Sequence, residues 1–161
     1  FQRIHVNSLM TKAKTVGNYV NSILASLEAK RAGCDEALML DSQGYVAECS
    51  GENLFVCKGG RVKTSPATAI LPGITRDTIL RLLADAGVPA EERSFTRDEA
   101  YLADEVFMTG TAAEVTPVRE IDGRVIGRGE PGPISREMQR QYAAITRGQV
   151  PAYEAWLTAV R

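Results

Sequence analysis

Between Glu36 and Val62 the chain reads EALMLDSQGYVAECSGENLFVCKGGRV, and this stretch limits the possible folds more than any other. Its apolar runs are short and are cut by Ser-Gln-Gly, Ser-Gly-Glu-Asn and Lys-Gly-Gly, which predicts several short strands joined by turns. The flanking segments have a helical period instead. Val20, Ile23, Leu24 and Leu27 recur at helical spacing, with Lys30 and Arg31 in the last turn and Gly33 closing it. A second helix is predicted over 76–86, with Ile79, Leu82, Leu83 and Ala86 on one face. Thr96 to Glu99 reads TRDE, a capping box opening a short helix that reaches Leu102. EVFMTG at 105–110 and EVTPVREIDGRVIG at 114–127 read as strands, with Asp122-Gly123 as a hairpin turn. Ile134, Met138, Tyr142 and Ile145 mark a last helix over 133–147. No repeat, low-complexity tract or linker interrupts this order, so residues 1–161 read as one mixed α+β domain.

Composition narrows the function. At 161 residues, with 44% apolar and 24% charged, the chain can bury a sizeable core and is not disordered. Its 19 basic and 20 acidic residues leave a net charge of −1, with no basic patch for a nucleic acid or a membrane surface. No apolar run approaches the roughly 20 residues of a membrane span, and no signal segment opens the chain. Cys34, Cys49 and Cys57 are odd in number and form no CxxC, which favours reduced thiols in a cytoplasmic protein. The single histidine, His5, excludes a histidine-cluster metal site; it reads as an ordinary strand or surface residue, and no metal is expected. The opening FQRIHVNSLM lacks an initiator Met and starts in strand-like alternation, so the expectation is a piece of a longer protein.

Three stretches and a pair of amines carry the chemistry. MTKAKTVGNYVNS, 10–22, sets Lys12 and Lys14 on one strand face ahead of a helix, as solvated residues or as a nucleophile. Position alone does not separate the two lysines. ILPGITRD, 70–77, runs from a Pro72-Gly73 turn straight into a helix, whose free N–H groups could cradle a phosphate with the Thr75 hydroxyl. Plain N-capping by Thr75 explains the same residues. GTAAEVTP, 110–117, offers the Thr111 hydroxyl and two small residues for close approach, or simply a tight turn. Glu48 lies within the strand YVAEC and needs a partner if buried; a cationic ring nitrogen, an arginine or water would each serve. An amine, an anion cradle and a carboxylate awaiting a cation are what pyridoxal 5′-phosphate requires of a protein.

KAKTVGNYVNS, GYVAECSGENLF, LPGITRD, YLADEVFMTGTAAEVTPV and DGRVIGRGEPGPI together resemble the branched-chain amino-acid aminotransferases, of the fold-type IV (class IV) pyridoxal-phosphate enzymes. The motifs run in order from about residue 8 to the C-terminus. The resemblance implies that Lys14 is the Schiff-base lysine and Lys12 a bystander, a role that needs desolvation or a nearby cation to lower the amine's proton affinity. It implies that Tyr19 lies near the cofactor's phenolic oxygen, that Glu48 pairs with the ring nitrogen and that Leu71 packs on the ring. Ile74, Thr75 and Thr111 match phosphate contacts, and the N–H groups of Ala112 and Ala113 match those holding the substrate carboxylate.

The fold so implied is the family's C-terminal large domain, a pseudo-barrel of mixed strands flanked by helices. The smaller N-terminal domain, with its phosphate-binding arginine, would precede Phe1. The implied reaction moves the amino group of leucine, isoleucine or valine to 2-oxoglutarate, giving branched 2-oxo acids and glutamate. The partners are small molecules, with a homo-oligomer expected of the full-length form. Val16 and Cys49 depart from the smaller residues common in relatives. D-amino-acid aminotransferase and aminodeoxychorismate lyase share the fold, but GENLF and GTAAEVTPV side with the branched-chain group. A non-catalytic fragment that pairs with a full-length partner is the alternative of a different class.

Overall fold

The strand signals of residues 36–64 are realised as four strands in the computed structural model, which describes residues 1–159. A 3₁₀ turn at Val16–Asn18 leads into helix α1 (Tyr19–Arg31), and strands β1 (Leu38–Leu40), β2 (Val46–Cys49), β3 (Asn53–Lys58) and β4 (Arg61–Thr64) follow. Then come α2 (Ile74–Asp85), β5 (Ala90–Glu92), α3 (Arg97–Tyr101), β6 (Glu105–Gly110) and β7 (Glu114–Pro117). The short hairpin β8 (Glu120–Ile121) and β9 (Arg124–Val125) precedes α4 (Pro133–Thr146) and a closing 3₁₀ stretch at Pro151–Trp156. The hairpin turn falls on Asp122 and Gly123, whose φ values of 50° and 72° are the left-handed pair a two-residue turn requires.

The strands form a five-stranded sheet in the order β5-β4-β3-β6-β7, flanked by the two-stranded sheets β1-β2 and β8-β9. Only the β4–β5 pair is parallel among these strand pairs; the others are antiparallel. Central β3 is buried on both faces along NLFVC, so its apolar residues LFVC form an unbroken run rather than an alternation. Leu54 and Val56 point into one core with Val46, Phe95 and Val106, while Phe55 and Cys57 point into the other with Ile79, Leu83 and Met138. Phe55 pairs with Phe107 across the β3–β6 ladder and their rings stack at 4.9 Å. Helices α2 and α4 cover the second face. No helix among the described residues is long and apolar enough to cross a membrane.

One local expectation changes. Lys12 and Lys14 do not share a strand: residues 11–15 form an irregular loop, because the Asn18 side chain donates to Met10 O at 2.9 Å and Ala13 O at 2.8 Å. In α1 the apolar stripe is turned outward, with Val20, Ile23, Leu24 and Leu27 between 47% and 58% exposed. The helix docks instead through the small residues Ser22 and Ala25, with Ser22 Oγ 3.8 Å from Met39 Sδ.

Candidate active site

Helix α2 begins where it does because Pro72-Gly73 holds the chain extended before Ile74. Gly73 is its N-cap and has no side chain to offer, so the first N–H groups of a twelve-residue helix have no side-chain cap. Thr75 is not the cap; it is buried one position into the helix, with Oγ1 3.4 Å from Tyr142 Oη. This helix start opens on a cavity of about 280 Å³ whose walls include Lys14, Glu48, Leu71, Ile74, Thr75 and Thr111. Lys12 also reaches the wall, and both lysines are exposed. The predicted amine, carboxylate and phosphate contacts therefore meet in one place.

The remaining predicted residues lie around that cavity rather than on its walls. The Tyr19 ring, at the first turn of α1, has Lys14 Nζ 5.6 Å from its centroid. Ala112 and Ala113 form the β6–β7 turn next to Thr111, and Thr116 Oγ1 pins this turn by donating to Ala113 O at 2.7 Å. Gly110 lets β6 lie against the neighbouring loop, since a Cβ there would sit 3.3 Å from Glu52 Cγ. His5 is exposed, and its Nδ1 accepts from Asn7 N at 3.2 Å.

Glu48 is buried, and its charge partner within the chain is Arg3, whose Nε donates to Oε1. Oε2 accepts from Leu71 N at 3.1 Å and from Asn53 Nδ2 at 3.2 Å. Burial pushes the Glu48 carboxyl above the usual carboxylate range, and the Arg3 guanidinium, the Leu71 N–H and the Lys14 charge draw it part of the way back. Glu52, also on the cavity wall, is pushed up to about 7 by burial and by the nearby Glu36 carboxylate. Thr109 is buried on the same wall, with a hydroxyl that has no partner among the described residues. Glu52, Asn53 and Thr109 lie inside motifs that carry the resemblance but are given no role there, and Arg3 lies outside all of them. Their one trace is the rule that a carboxylate buried in a strand must be paired.

The family of class IV amino-transferases matches residues 1–121. A branched-chain-amino-acid aminotransferase of Pseudomonas aeruginosa is 53% identical over 161 residues, covering 100% of this chain and 52% of that protein. The enzyme of the same description from Escherichia coli K12 is 44% identical, over 99% of this chain and 52% of its own length. Among solved structures, the branched-chain amino acid aminotransferase of T.th. complexed with N-(5′-phosphopyridoxyl)-L-glutamate superposes with a TM-score of 0.97 at 51% identity, covering 99% of this chain and 54% of that one. The enzyme from Thermobaculum terrenum in its PLP form gives 0.95 at 42% identity, over 98% of this chain and 52% of that one. The chain thus spans about half the length of the relatives it matches. Its fold is that of the fold-type IV enzymes, the strands of the expected pseudo-barrel being grouped here into three sheets. The chain belongs to the class IV aminotransferase family.

Proposed function

We propose that this protein carries the pyridoxal-phosphate site of a branched-chain amino-acid transaminase, passing the amino group of leucine, isoleucine or valine to 2-oxoglutarate. The observation that carries this reading is the meeting of Lys14, Glu48 and the uncapped start of α2 on one cavity. The site fits the cofactor. A carboxylate has about four lone-pair sites, and Glu48 accepts from three donors within the chain, which leaves room for a ring N–H. The unpartnered Thr109 hydroxyl marks the same cavity as polar space awaiting a ligand.

Pyridoxal 5′-phosphate, when bound, supplies a carbonyl that takes up the amino group and a ring that draws electrons from the substrate α-carbon. Lys14 Nζ would hold the cofactor and move the proton taken from the α-carbon. Glu48 would keep the ring nitrogen protonated, and Tyr19 would stand by the phenolic oxygen. The N–H groups of Ile74 and Thr75, with the Thr75 and Thr111 hydroxyls, would bind the phosphate. Leu71 would pack on the ring, and the Ala112 and Ala113 N–H groups would take the substrate carboxylate. The phosphopyridoxyl-L-glutamate complex of the T.th. relative supports glutamate as the partner of 2-oxoglutarate.

The residues 1–161 are read as the large domain of a longer enzyme, acting in the cytoplasm as a homo-oligomer. The outward apolar stripe of α1 supports an assembly. The test supplies the chain with cofactor, each branched L-amino acid and 2-oxoglutarate, and measures glutamate and branched 2-oxo acid. Equal amounts of both are expected. Activity on D-alanine, or pyruvate release from aminodeoxychorismate, would assign the site to the sister enzymes. No turnover at all would favour a fragment that needs a full-length partner.

A further inference from the structure

Asn53, the first residue of β3, is 5% exposed and spends both amide protons within the site. Nδ2 donates to Glu48 Oε2 at 3.2 Å and to Leu71 O at 3.0 Å, while Leu71 N donates to the same Glu48 oxygen at 3.1 Å. These three bonds close a ring joining the carboxylate on β2 to the loop that leads into α2. Two residues further on is Gly73, the N-cap of α2. Its φ of −76° and ψ of 139° are open to any residue, so the backbone does not demand glycine there. Its neighbour does. A Cβ on Gly73 would overlap Asn53 Oδ1 and lie 3.5 Å from Asn53 Cγ. Ser, Thr, Asp or Asn would ordinarily be favoured at this position because they cap the helix.

We propose that Asn53 is a positioning residue of the active site, tying Glu48 to the anion-binding start of α2, and that position 73 is glycine to admit it. The role rests on reading Glu48 and the α2 start as cofactor-binding groups. A carboxylate that would hold the ring nitrogen and N–H groups that would hold the phosphate must stay within the reach of one small molecule, so their relative placement matters. The Asn53 amide bonds to the carboxylate on one side and, on the other, to Leu71 O, three residues before α2 begins. Both consequences of Gly73 serve the same site, since it makes room for Asn53 and leaves the first N–H groups of α2 without a competing side-chain cap.

A double-mutant cycle tests the tie. Asn53→Ala, Gly73→Ala and the double variant are compared with the unsubstituted chain by thermal midpoint without cofactor and by pyridoxal-phosphate titration. Gly73→Ala is expected to weaken cofactor binding about tenfold alone and by less than about threefold when added to Asn53→Ala, since the methyl then enters vacated space. Asn53→Asp keeps the shape but replaces the donor with a second carboxylate beside Glu48. Its deficit, measured against the unsubstituted chain at each pH, is expected to shrink between about pH 8 and pH 6 as protonation restores a donor. Equal cost of Gly73→Ala in both backgrounds, or a pH-independent deficit for Asn53→Asp, would overturn the proposal. Coupling in the thermal midpoint with unchanged cofactor affinity in every variant would overturn the role at the cofactor site. Failure of the unsubstituted chain to bind pyridoxal phosphate would count against the functional reading instead, and the thermal cycle would then decide the Asn53–Gly73 contact.

Discussion

Arg3 and Glu48 are both more than nine-tenths buried, and each is the other's charge partner. Removing one member of such a pair strands the other in a low-dielectric interior, so Arg3→Ala is expected to cost about 3–5 kcal/mol in urea unfolding. Glu52 gives a pH signature. Its folded proton affinity is raised to about 7 from an ordinary value of 4.5, so the folded state holds the proton more tightly than the unfolded chain. Stability from this group is fully present below the unfolded value and is lost as pH rises through about 7. Glu52→Gln should therefore flatten the decline, raising the thermal midpoint relative to the unsubstituted chain more at about pH 8 than at about pH 5. An unchanged slope across that window would contradict the assignment. Glu48 stands out in the sequence as a carboxylate inside an apolar strand, whereas Lys14 is told from Lys12 there only by the resemblance. Arg3 was not legible there, because it meets Glu48 across 45 residues of chain, and nothing near Arg3 records that contact.

Helix α4 starts at Pro133 with a glycine at its N-cap, yet its first turn is not left open. Glu105, at the start of β6, accepts from Ile134 N at 3.2 Å and from Ser135 N and Oγ at 2.8 Å and 2.7 Å. A carboxylate from another element thus does the work of a cap and also meets the positive end of the helix dipole. Glu105→Ala should cost about 2 kcal/mol in unfolding, near the upper limit for lost caps. Helix α2 differs, having no side-chain cap at its first turn and opening on the cavity. For α1, Leu24→Gln should change stability by no more than about 0.5 kcal/mol, because Leu24 is exposed. Ala25→Leu should cost about 1–3 kcal/mol by overfilling the contact through which the helix docks. Helical spacing showed that α1 exists but not which side it buries. That depends on what packs against it, and here the close approach of Ser22 to Met39 selects the small-residue face. For β3, the turn signals around a short apolar run mark a strand, but its burial on both faces is seen only in the structure.

Taken whole, the molecule sets a five-stranded sheet between two cores and places its polar cavity at the end of β3 and β6, where Asn53 faces Thr109 in register. The mixed α+β class followed from periodicity, whereas the pairing order β5-β4-β3-β6-β7 did not, since strand neighbours distant in sequence leave no local mark. Convergence of the site depends on that pairing order. Residues 14, 48, 71, 75 and 111 reach one cavity only because β3 and β6 lie side by side with α2 packed behind them. Borohydride reduction of the chain equilibrated with pyridoxal 5′-phosphate, followed by peptide mapping, tests this convergence most directly. A single pyridoxyl label on Lys14, lost in Lys14→Ala and retained in Lys12→Ala, is the expected result. Label on Lys12, or scattered over the exposed lysines, would contradict it.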